Sequence, residues 1–148
     1  MTGLEYFRAM LEGRVSSPPM VSLLGLRMVE ADHGRVVFAG TVTEQFYNGW
    51  GVAHGGFAAA MLDTALTCAI NTTSFRERTF TTLELKINFV RPLTREAGEV
   101  RCEGRVIHAG NRTATAEGRI VGPDGKVYAH GTTTCISIEQ RSQGSQGS

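Results

Sequence analysis

Cysteine is scarce in this sequence, and neither sign of charge dominates. The three cysteines, Cys68, Cys102 and Cys135, are odd in number, far apart and without a CxxC pair, which argues against a disulfide framework and against a thiolate zinc site. Fifteen basic and fourteen acidic residues leave a net charge of +1. We therefore expect neither nucleic acid nor a membrane as a partner, because no field of one sign exists to attract them.

Several motifs of known chemistry are also missing. The four histidines show no HExxH or similar ligand spacing, and no GxGxxG loop, P-loop or GxSxG elbow occurs. We therefore expect no metal and no cofactor. The opening segment, MTGLEYFRAMLEG, carries Glu5 and Arg8 inside its only apolar stretch, which is not the pattern of a signal peptide. A reducing cytoplasm is the expected location.

Glycine, in contrast, is abundant, with 18 of 148 residues against about 7% in ordinary proteins. This excess predicts tight turns or close approaches between backbones. The length, with 41% hydrophobic and 20% charged residues, is typical of one globular domain. We expect a single domain over 1–138 and a flexible polar tail, EQRSQGSQGS, over 139–148.

Most of the chain has the alternation and the turn residues of antiparallel strands. The clearest case is 79–91, where Leu83, Leu85, Ile87 and Phe89 share one face of a half-buried strand. The predicted strands span 22–31, 35–43, 79–91, 99–109, 112–121 and 126–138, with Gly110-Asn111 as a two-residue hairpin turn between the fourth and the fifth.

One long segment of a different kind, HGGFAAAMLDTALTCAINTTS over 54–74, predicts a helix because alanine, methionine and leucine dominate it. Apolar side chains occupy nearly every angular position, so this helix should be buried. Only residues 3–12 could form a second, short amphipathic helix. The predicted fold class is α+β, with an antiparallel sheet wrapped around one long central helix.

Asp63 is the only charged residue in the predicted helix. A buried carboxylate must be hydrogen-bonded, paired or functional. Small and polar residues, Gly56, Ala60, Thr67 and Asn71, share its stripe of the helix. Two interpretations stay open at this point: a structural aspartate satisfied by Thr67 or by nearby backbone, and a general base or nucleophile.

The segment His54-Gly55-Gly56 stands where the helix should begin. Free N–H groups at a helix N-terminus favour a developing anion, and glycine lets a carbonyl approach the backbone closely. The alternative is a tight entry turn in which His54 serves only as a hydrogen-bonding residue. In the preceding loop, FYNGWG over 46–51, Asn48 is placed to orient a carbonyl or a water.

Together these residues resemble the hotdog-fold acyl-CoA thioesterases, and in particular the phenylacetate-degradation-type branch, over roughly residues 20–138. The pattern consists of Asn48, then His54-Gly55-Gly56 six residues later, then Asp63 nine residues after the histidine. The strand TTLELKINFVRP over 81–92 completes it. No single piece is decisive, but the ordered set is specific.

The resemblance implies thioester hydrolysis without a metal. Asp63 would activate water or attack the thioester, and the backbone N–H of Gly55 would polarise the carbonyl. By the same resemblance, Asn48 holds substrate or water, His54 has a positional role, and Thr82 adds a hydrogen bond at the site. Thr81 is adjacent to Thr82, so a shift of one residue would exchange the two.

Coenzyme A needs cations for its phosphates. The resemblance favours Arg112, just after the Gly110-Asn111 turn, while Arg76, Arg78, Arg91 and Arg95 are further candidates; Gly56 and Trp50 complete the expected substrate-binding set. Candidates for the acyl pocket are Phe46, Tyr47, Trp50 and Met61. Such a lining favours an aromatic or medium-chain acyl group.

Two other functions stay open on the same fold. A hotdog hydratase or dehydratase acting on acyl thioesters usually has a proline-rich loop ahead of the helix, and the loop YNGWGVAHGG has no proline. A non-catalytic acyl-CoA-binding module would not need Asp63 beside Asn48, Gly55 and Thr82.

Helix geometry predicts a site shared between subunits. Gly55 and Asp63 are eight residues apart on one helix, so their backbones are separated by about 12 Å. One helix therefore cannot present both groups to the same carbonyl. We expect a two-fold homodimer with shared active sites, and the resemblance implies a homotetramer made of two such dimers.

Overall fold

The computed structural model describes residues 1–75 and 77–139, in which two short helices precede a sheet that encloses one long helix. In chain order the elements are α1 (Gly3–Leu11), α2 (Pro19–Leu23), β1 (Arg27–Asp32), β2 (Arg35–Thr41), α3 (Gly55–Asn71), β3 (Arg78–Phe89), β4 (Glu99–Ala109), β5 (Thr113–Val121) and β6 (Val127–Glu139), with turns of 3₁₀ helix at Glu44–Phe46 and Arg95–Ala97. Of the predicted tail, Glu139 ends β6, and 140–148 lie outside the described residues. Within the described ranges no helix is long and apolar enough to cross a membrane.

The six strands form one antiparallel sheet in the order β1-β2-β4-β5-β6-β3. Helix α3 packs against the inner face of this sheet and contacts five of the six strands, from β2 to β6. Its side chains at Met61, Leu62, Ala65, Leu66, Ala69 and Ile70 are fully buried. The predicted α+β class and the buried central helix are confirmed.

A row of glycines lets α3 lie close to the sheet. Gly104, Gly118 and Gly131 are register partners across β4, β5 and β6. A Cβ atom at Gly104 would lie 2.5 Å from the carbonyl oxygen of Ala65, and one at Gly118 would lie 2.6 Å from a methyl group of Leu66. The close backbone approaches predicted from the glycine content are therefore present at the middle of the helix.

Helix α3 ends earlier than predicted, at Asn71 rather than at residue 74. The hydroxyl of Thr72 donates to the carbonyl oxygen of Ala69 at 2.6 Å, and that of Thr73 donates to the carbonyl oxygen of Ile70 at 2.7 Å. The Ile70 carbonyl also accepts the N–H of Thr73 at 3.0 Å, so side-chain hydroxyls and a tightened last turn together satisfy the final carbonyls.

The first strand was predicted to begin at residue 22, and this is wrong. Pro19 starts a short helix there, since its fixed φ suits the first turn of a helix and it has no N–H to satisfy. Gly25 then reverses the chain with a φ of +69°, and β1 begins only at Arg27.

Two of the register irregularities in the sheet, in β3 and β4, bear on the predicted alternation and on the predicted hairpin turn. A bulge at Leu83 interrupts the alternation of β3, and this side chain is 59% exposed. A second bulge, at Ile107, shifts the register between β4 and β5, while β4 keeps its predicted bounds. Gly110 and Thr113 then close the hairpin through an N–H···O bond of 2.9 Å, so its two central residues are 111–112 rather than Gly110-Asn111.

Candidate active site

His54 is the N-terminal cap of α3. Its side-chain Nδ1 atom accepts the backbone N–H of Gly56 at 2.9 Å, and its backbone N–H donates to the carbonyl oxygen of Phe46 at 2.8 Å. His54 therefore ties the preceding loop to the first turn of the helix, through its backbone N–H on the loop side and its imidazole on the helix side. The neighbouring N–H of Gly55 has no acceptor within the described part of the chain.

The Gly55 backbone borders a cavity of about 410 Å³ at the N-terminal end of α3. A Cβ atom at Gly55 would come within 3.2 Å of the Phe89 ring, so a side chain there would press against the cavity wall. The lining combines polar groups with apolar ones, and includes Asn48, His54, Gly55, Phe89, Arg91, Leu93, Ile120 and Tyr128. One open amide donor, one amide side chain and one cation thus face the same space.

Asn48 is held by its own loop. Its Oδ1 atom accepts the N–H of Trp50 at 2.8 Å and that of Val52 at 3.4 Å, and its N–H donates to the Val52 carbonyl at 2.8 Å. The side-chain oxygen is occupied, which leaves the amide NH₂ as the group available to a ligand. The Trp50 side chain is 90% exposed and does not line the cavity.

A second cluster lies two turns further along α3. Oδ1 of Asp63 accepts the hydroxyl of Thr82 at 2.7 Å, and the hydroxyl of Thr67 lies 3.3 Å from the same oxygen. Asp63, Thr67 and Thr82 are each half-buried. Thr82, not Thr81, faces the helix, because Thr81 points to the other face of β3 and is exposed.

In the fold, the predicted site residues lie in two separate sets. Asn48, His54, Gly55 and Arg91 border the cavity, while Asp63 and Thr82 are not among its lining residues. Eight residues of helix separate Gly55 from Asp63, a distance of about 12 Å. Within one chain the carboxylate and the open amide therefore cannot meet on one carbonyl.

The predicted cations lie at opposite ends of the sheet. Arg91 borders the cavity. Arg112 is exposed in the β4–β5 turn, and its carbonyl oxygen accepts the N–H of Ser137. Two residues after Arg112, Ala114 pairs with Cys135 of β6, and Cys135 in turn pairs with Thr82 of β3. Arg112 therefore lies at the end of the sheet where Thr82 bonds Asp63. Arg76 lies outside the described residues.

The candidates for the acyl pocket have different surroundings. Phe46 stacks on Phe57 with ring centroids 5.2 Å apart, and Met61 is fully buried in the core. The cavity wall instead uses Phe89 and Tyr128, which the sequence interpretation missed. The alternation of β3 predicted the face on which Phe89 lies. Its place in the cavity wall follows only from the fold, which brings the start of α3 next to it.

Two of the three thiols are in surroundings that disfavour the thiolate. Burial, and then the negative charge of Asp63, raise the pKa of Cys68 to about 12. Burial likewise raises the pKa of Cys102, with a further contribution from Glu103. Among the described residues no group of three or more His, Cys, Asp and Glu side chains is placed to hold a metal ion.

Comparison with known proteins identifies the family. Residues 51–129, more than half of the chain, match the family model described as Thioesterase superfamily. The chain belongs to the thioesterase superfamily. The match includes Gly55, Asp63 and Thr82, and the fold of this thioesterase is the hotdog fold expected from the resemblance.

Relatives and solved structures agree with this assignment. The thioesterase is 30% identical to a Saccharolobus solfataricus protein named "Putative esterase SSO2140", over 72% of this chain and 74% of that protein. It superposes on the E. coli PaaI protein from the phenylacetic acid degradation operon with a TM-score of 0.80 and 26% identity, covering 92% of this chain and 93% of that one. It also superposes on a phenylacetic acid degradation-related protein from Ralstonia eutropha with a TM-score of 0.80 and 29% identity, covering 88% of this chain and 98% of that one. The predicted family and the thioester hydrolase class are confirmed.

Proposed function

We propose that this thioesterase hydrolyses an aromatic or medium-chain acyl-CoA thioester to the free acid and coenzyme A. The observation that carries the proposal is the Asp63–Thr82 hydrogen bond of 2.7 Å, since it fixes the only carboxylate of an otherwise uncharged helix at the helix surface. Hydrolysis of a thioester needs a base or nucleophile, an oxyanion donor and water.

In the proposed reaction the thioester oxygen accepts the N–H of Gly55 at the positive end of α3. Asp63 either removes a proton from the attacking water or attacks the carbonyl carbon itself. In the second case the acyl group is carried on Asp63 as an anhydride, which water then hydrolyses to release the acid and regenerate the carboxylate. The C–S bond breaks, and the coenzyme A sulfur leaves as a thiol after taking up a proton. Asn48 holds the substrate or the water through its amide, and His54 keeps the Gly55 amide in place.

The site is proposed to be shared by two subunits. Strand β3 is an edge strand of 12 residues without an outer neighbour in the described chain, and Phe89 and Val90 are more than half exposed at its end. A long edge strand that exposes apolar side chains is prone to pairing with another chain. Antiparallel pairing of β3 with its copy would bring Asp63 towards Gly55 of the partner subunit. Two such dimers would form the proposed homotetramer.

The remaining expectations extend this proposal. Arg91 beside the cavity and Arg112 at the Asp63 end are proposed to bind the coenzyme A phosphates. Gly56 and Trp50 are proposed to contact substrate where the loop meets the partner. We also propose a cytoplasmic enzyme with one catalytic domain over 1–138.

The apolar cavity wall supports an aromatic or medium-chain acyl group. Phe89, Leu93, Ile120 and Tyr128 offer two aromatic rings and two aliphatic side chains. The E. coli protein superposed above comes from a phenylacetic acid degradation operon, which makes phenylacetyl-CoA the first substrate to test.

The test is release of free thiol from a panel of aliphatic, phenylacetyl and hydroxybenzoyl coenzyme A thioesters, with and without the change Asp63→Asn. This nearly isosteric change should keep the fold and lower turnover by ~10²–10⁴. Asp32→Asn is the matched control, because Asp32 is an exposed carboxylate at the end of β1. A folded Asp63→Asn protein with full activity would remove the mechanism. Hydration of crotonyl-CoA without thiol release would indicate the hydratase alternative.

A further inference from the structure

We propose that Thr67 is a positioning residue that, together with Thr82, anchors one oxygen of the Asp63 carboxylate and leaves the other, Oδ2, as the reacting atom. The inference rests on the proposed role of Asp63. Sequence analysis assigned Thr67 only the part of a structural partner of Asp63.

Three oxygen atoms from two elements meet at this point. Thr82 Oγ1 lies 2.7 Å from Asp63 Oδ1, Thr67 Oγ1 lies 3.3 Å from the same oxygen, and the two hydroxyls are 3.1 Å apart. Thr67 follows Asp63 by four residues, so both side chains lie on one face of α3. Thr82 approaches from β3. The carboxylate oxygen is therefore held from the helix and from the sheet.

The direction of the Thr67 hydroxyl distinguishes it from an ordinary helical threonine. A threonine inside a helix commonly donates to the carbonyl oxygen four residues earlier, and Thr64 does so to Ala60 at 2.7 Å. Thr67 instead has the carboxylate and the Thr82 hydroxyl within hydrogen-bond distance, with Cys135 Sγ at 3.9 Å.

Counting protons gives the same result for either hydrogen-bond arrangement. A carboxylate only accepts, so the single proton of the Thr82 hydroxyl is donated to Oδ1. The Thr67 proton then goes either to Oδ1 directly or to the Thr82 oxygen, which polarises the Thr82 donor and strengthens its bond to Oδ1. Both arrangements stabilise the same oxygen. Oδ2 has no hydrogen-bond partner among the described residues, so its lone pairs remain for water or for the thioester.

The helix and the strand are held together independently of Thr67. One turn further along the helix, the Asn71 side chain accepts the N–H of Phe80 at 2.8 Å and donates to the Phe80 carbonyl at 3.2 Å. This two-bond contact fixes β3 against α3 two residues before Thr82. Removing the Thr67 hydroxyl should therefore loosen the carboxylate without detaching the strand.

The experiment measures kcat and KM for thiol release, together with thermal unfolding, in Thr67→Val, Thr67→Ser and the control Thr64→Val. Thr67→Val removes the hydroxyl and keeps the branched shape. Loss of one hydrogen bond to a charged group predicts a fall in kcat of roughly 10–100-fold, with KM within about twofold because Thr67 does not border the cavity. Thr67→Ser, which keeps the hydroxyl, should recover most of kcat, and Thr64→Val should leave it unchanged.

The outcomes separate this inference from the proposed function. If Asp63→Asn is inactive while Thr67→Val turns over like Thr64→Val, the positioning role is wrong and the role of Asp63 stands. A folded Thr67→Ser protein as slow as Thr67→Val would also overturn it, because the hydroxyl would then be irrelevant. If Thr67→Val does not fold, Thr67→Ala decides, since it also lacks the hydroxyl and must show the same loss of kcat. An active Asp63→Asn protein would instead remove the proposed function itself.

Discussion

At the scale of single residues, the two glycines after His54 have different tasks. The Gly56 N–H is taken by the His54 imidazole at 2.9 Å. Gly55 borders the cavity, and its N–H has no protein acceptor among the described residues. A Cβ atom at Gly56 would come within 3.1 Å of His54 Nδ1, and one at Gly55 within 3.2 Å of Phe89. A side chain at Gly56 would disturb the cap, and one at Gly55 would press on the cavity wall.

The cap predicts that His54 can be replaced by another capping residue. Asparagine caps helices well and has no imidazole, so His54→Asn should retain most of kcat. His54→Ala should lose more activity and about 1 kcal/mol of the free energy of unfolding, since the Gly56 N–H loses its acceptor. Steady-state kinetics and chemical denaturation measure the two effects. Equal and complete loss of activity in both folded variants would show that the imidazole takes part in proton transfer.

The three thiols are expected to be dispensable. Cys102 and Cys135 are fully buried. Burial raises the pKa of Cys68 to about 12 and also raises the pKa of Cys102, which disfavours the thiolate form of Cys68 and Cys102. Replacing all three cysteines by Ala should lower the midpoint of thermal unfolding and leave kcat within a few-fold of the parent. Loss of turnover in a triple variant with a native circular dichroism spectrum would point to a cysteine nucleophile.

At the scale of secondary-structure elements, the close packing of α3 on the sheet depends on glycines in the strands, which have no side chain to keep the helix away. Gly104 lies opposite Ala65, and neighbouring Gly118 lies opposite Leu66. Because Asp63 and Thr67 flank Ala65 and Leu66 on the same helix, the distance between helix and sheet also sets where Asp63 meets Thr82. The glycine row thereby contributes to the geometry of the candidate site.

Gly104→Ala should therefore destabilise the protein. Its Cβ atom would lie 2.5 Å from the Ala65 carbonyl oxygen, and relieving that contact requires a shift of the backbone, typically at about 1–3 kcal/mol. Gly49→Ala is the matched control, because a Cβ atom there meets nothing within 4 Å. Urea denaturation compares the two variants. Equal stability of both would mean that the sheet relaxes around the extra methyl group without cost.

The elements that were predicted well are those whose pattern is local. The composition of α3 and the alternation along the strands follow from the residues themselves, and Asp63 was conspicuous as the only charge in an apolar helix. The bulges at Leu83 and Ile107 were not predictable, because they depend on pairing with β6 and β5. The glycine row was hidden for the same reason: positions 104, 118 and 131 become neighbours only through the register of three strands.

At the scale of the whole molecule, one chain holds the proposed catalytic residues in two separate sets, which we treat as the two halves of the proposed site. Asn48, His54 and Gly55 lie at the start of α3, and Asp63 with Thr82 lies about 12 Å further on. The exposed edge strand β3 lies beside both halves, since Phe89 contacts the Gly55 position and Thr82 bonds Asp63. A two-fold axis beside this strand would place each half opposite the complementary half of the partner.

Complementation between inactive variants tests the shared site. We expect Asn48→Ala and Asp63→Asn each to have little activity alone. When the two are co-expressed with different tags, a mixed dimer combines the intact Asn48 of one subunit with the intact Asp63 of the other at one of its two sites. Its turnover should therefore approach half that of the parent dimer. With sites inside single chains, every site would carry one defect and no activity would return.

The control for complementation pairs two changes in the same half of the site. Asp63→Asn co-expressed with Thr82→Val leaves a defect at both sites of the mixed dimer, so its activity should not exceed the mean of the two parents. Native mass spectrometry establishes that the mixed assemblies have formed and how many subunits they contain. Verified mixed dimers of Asn48→Ala and Asp63→Asn that stay as inactive as their parents would contradict the shared site, because the intact halves would then have met without restoring the reaction.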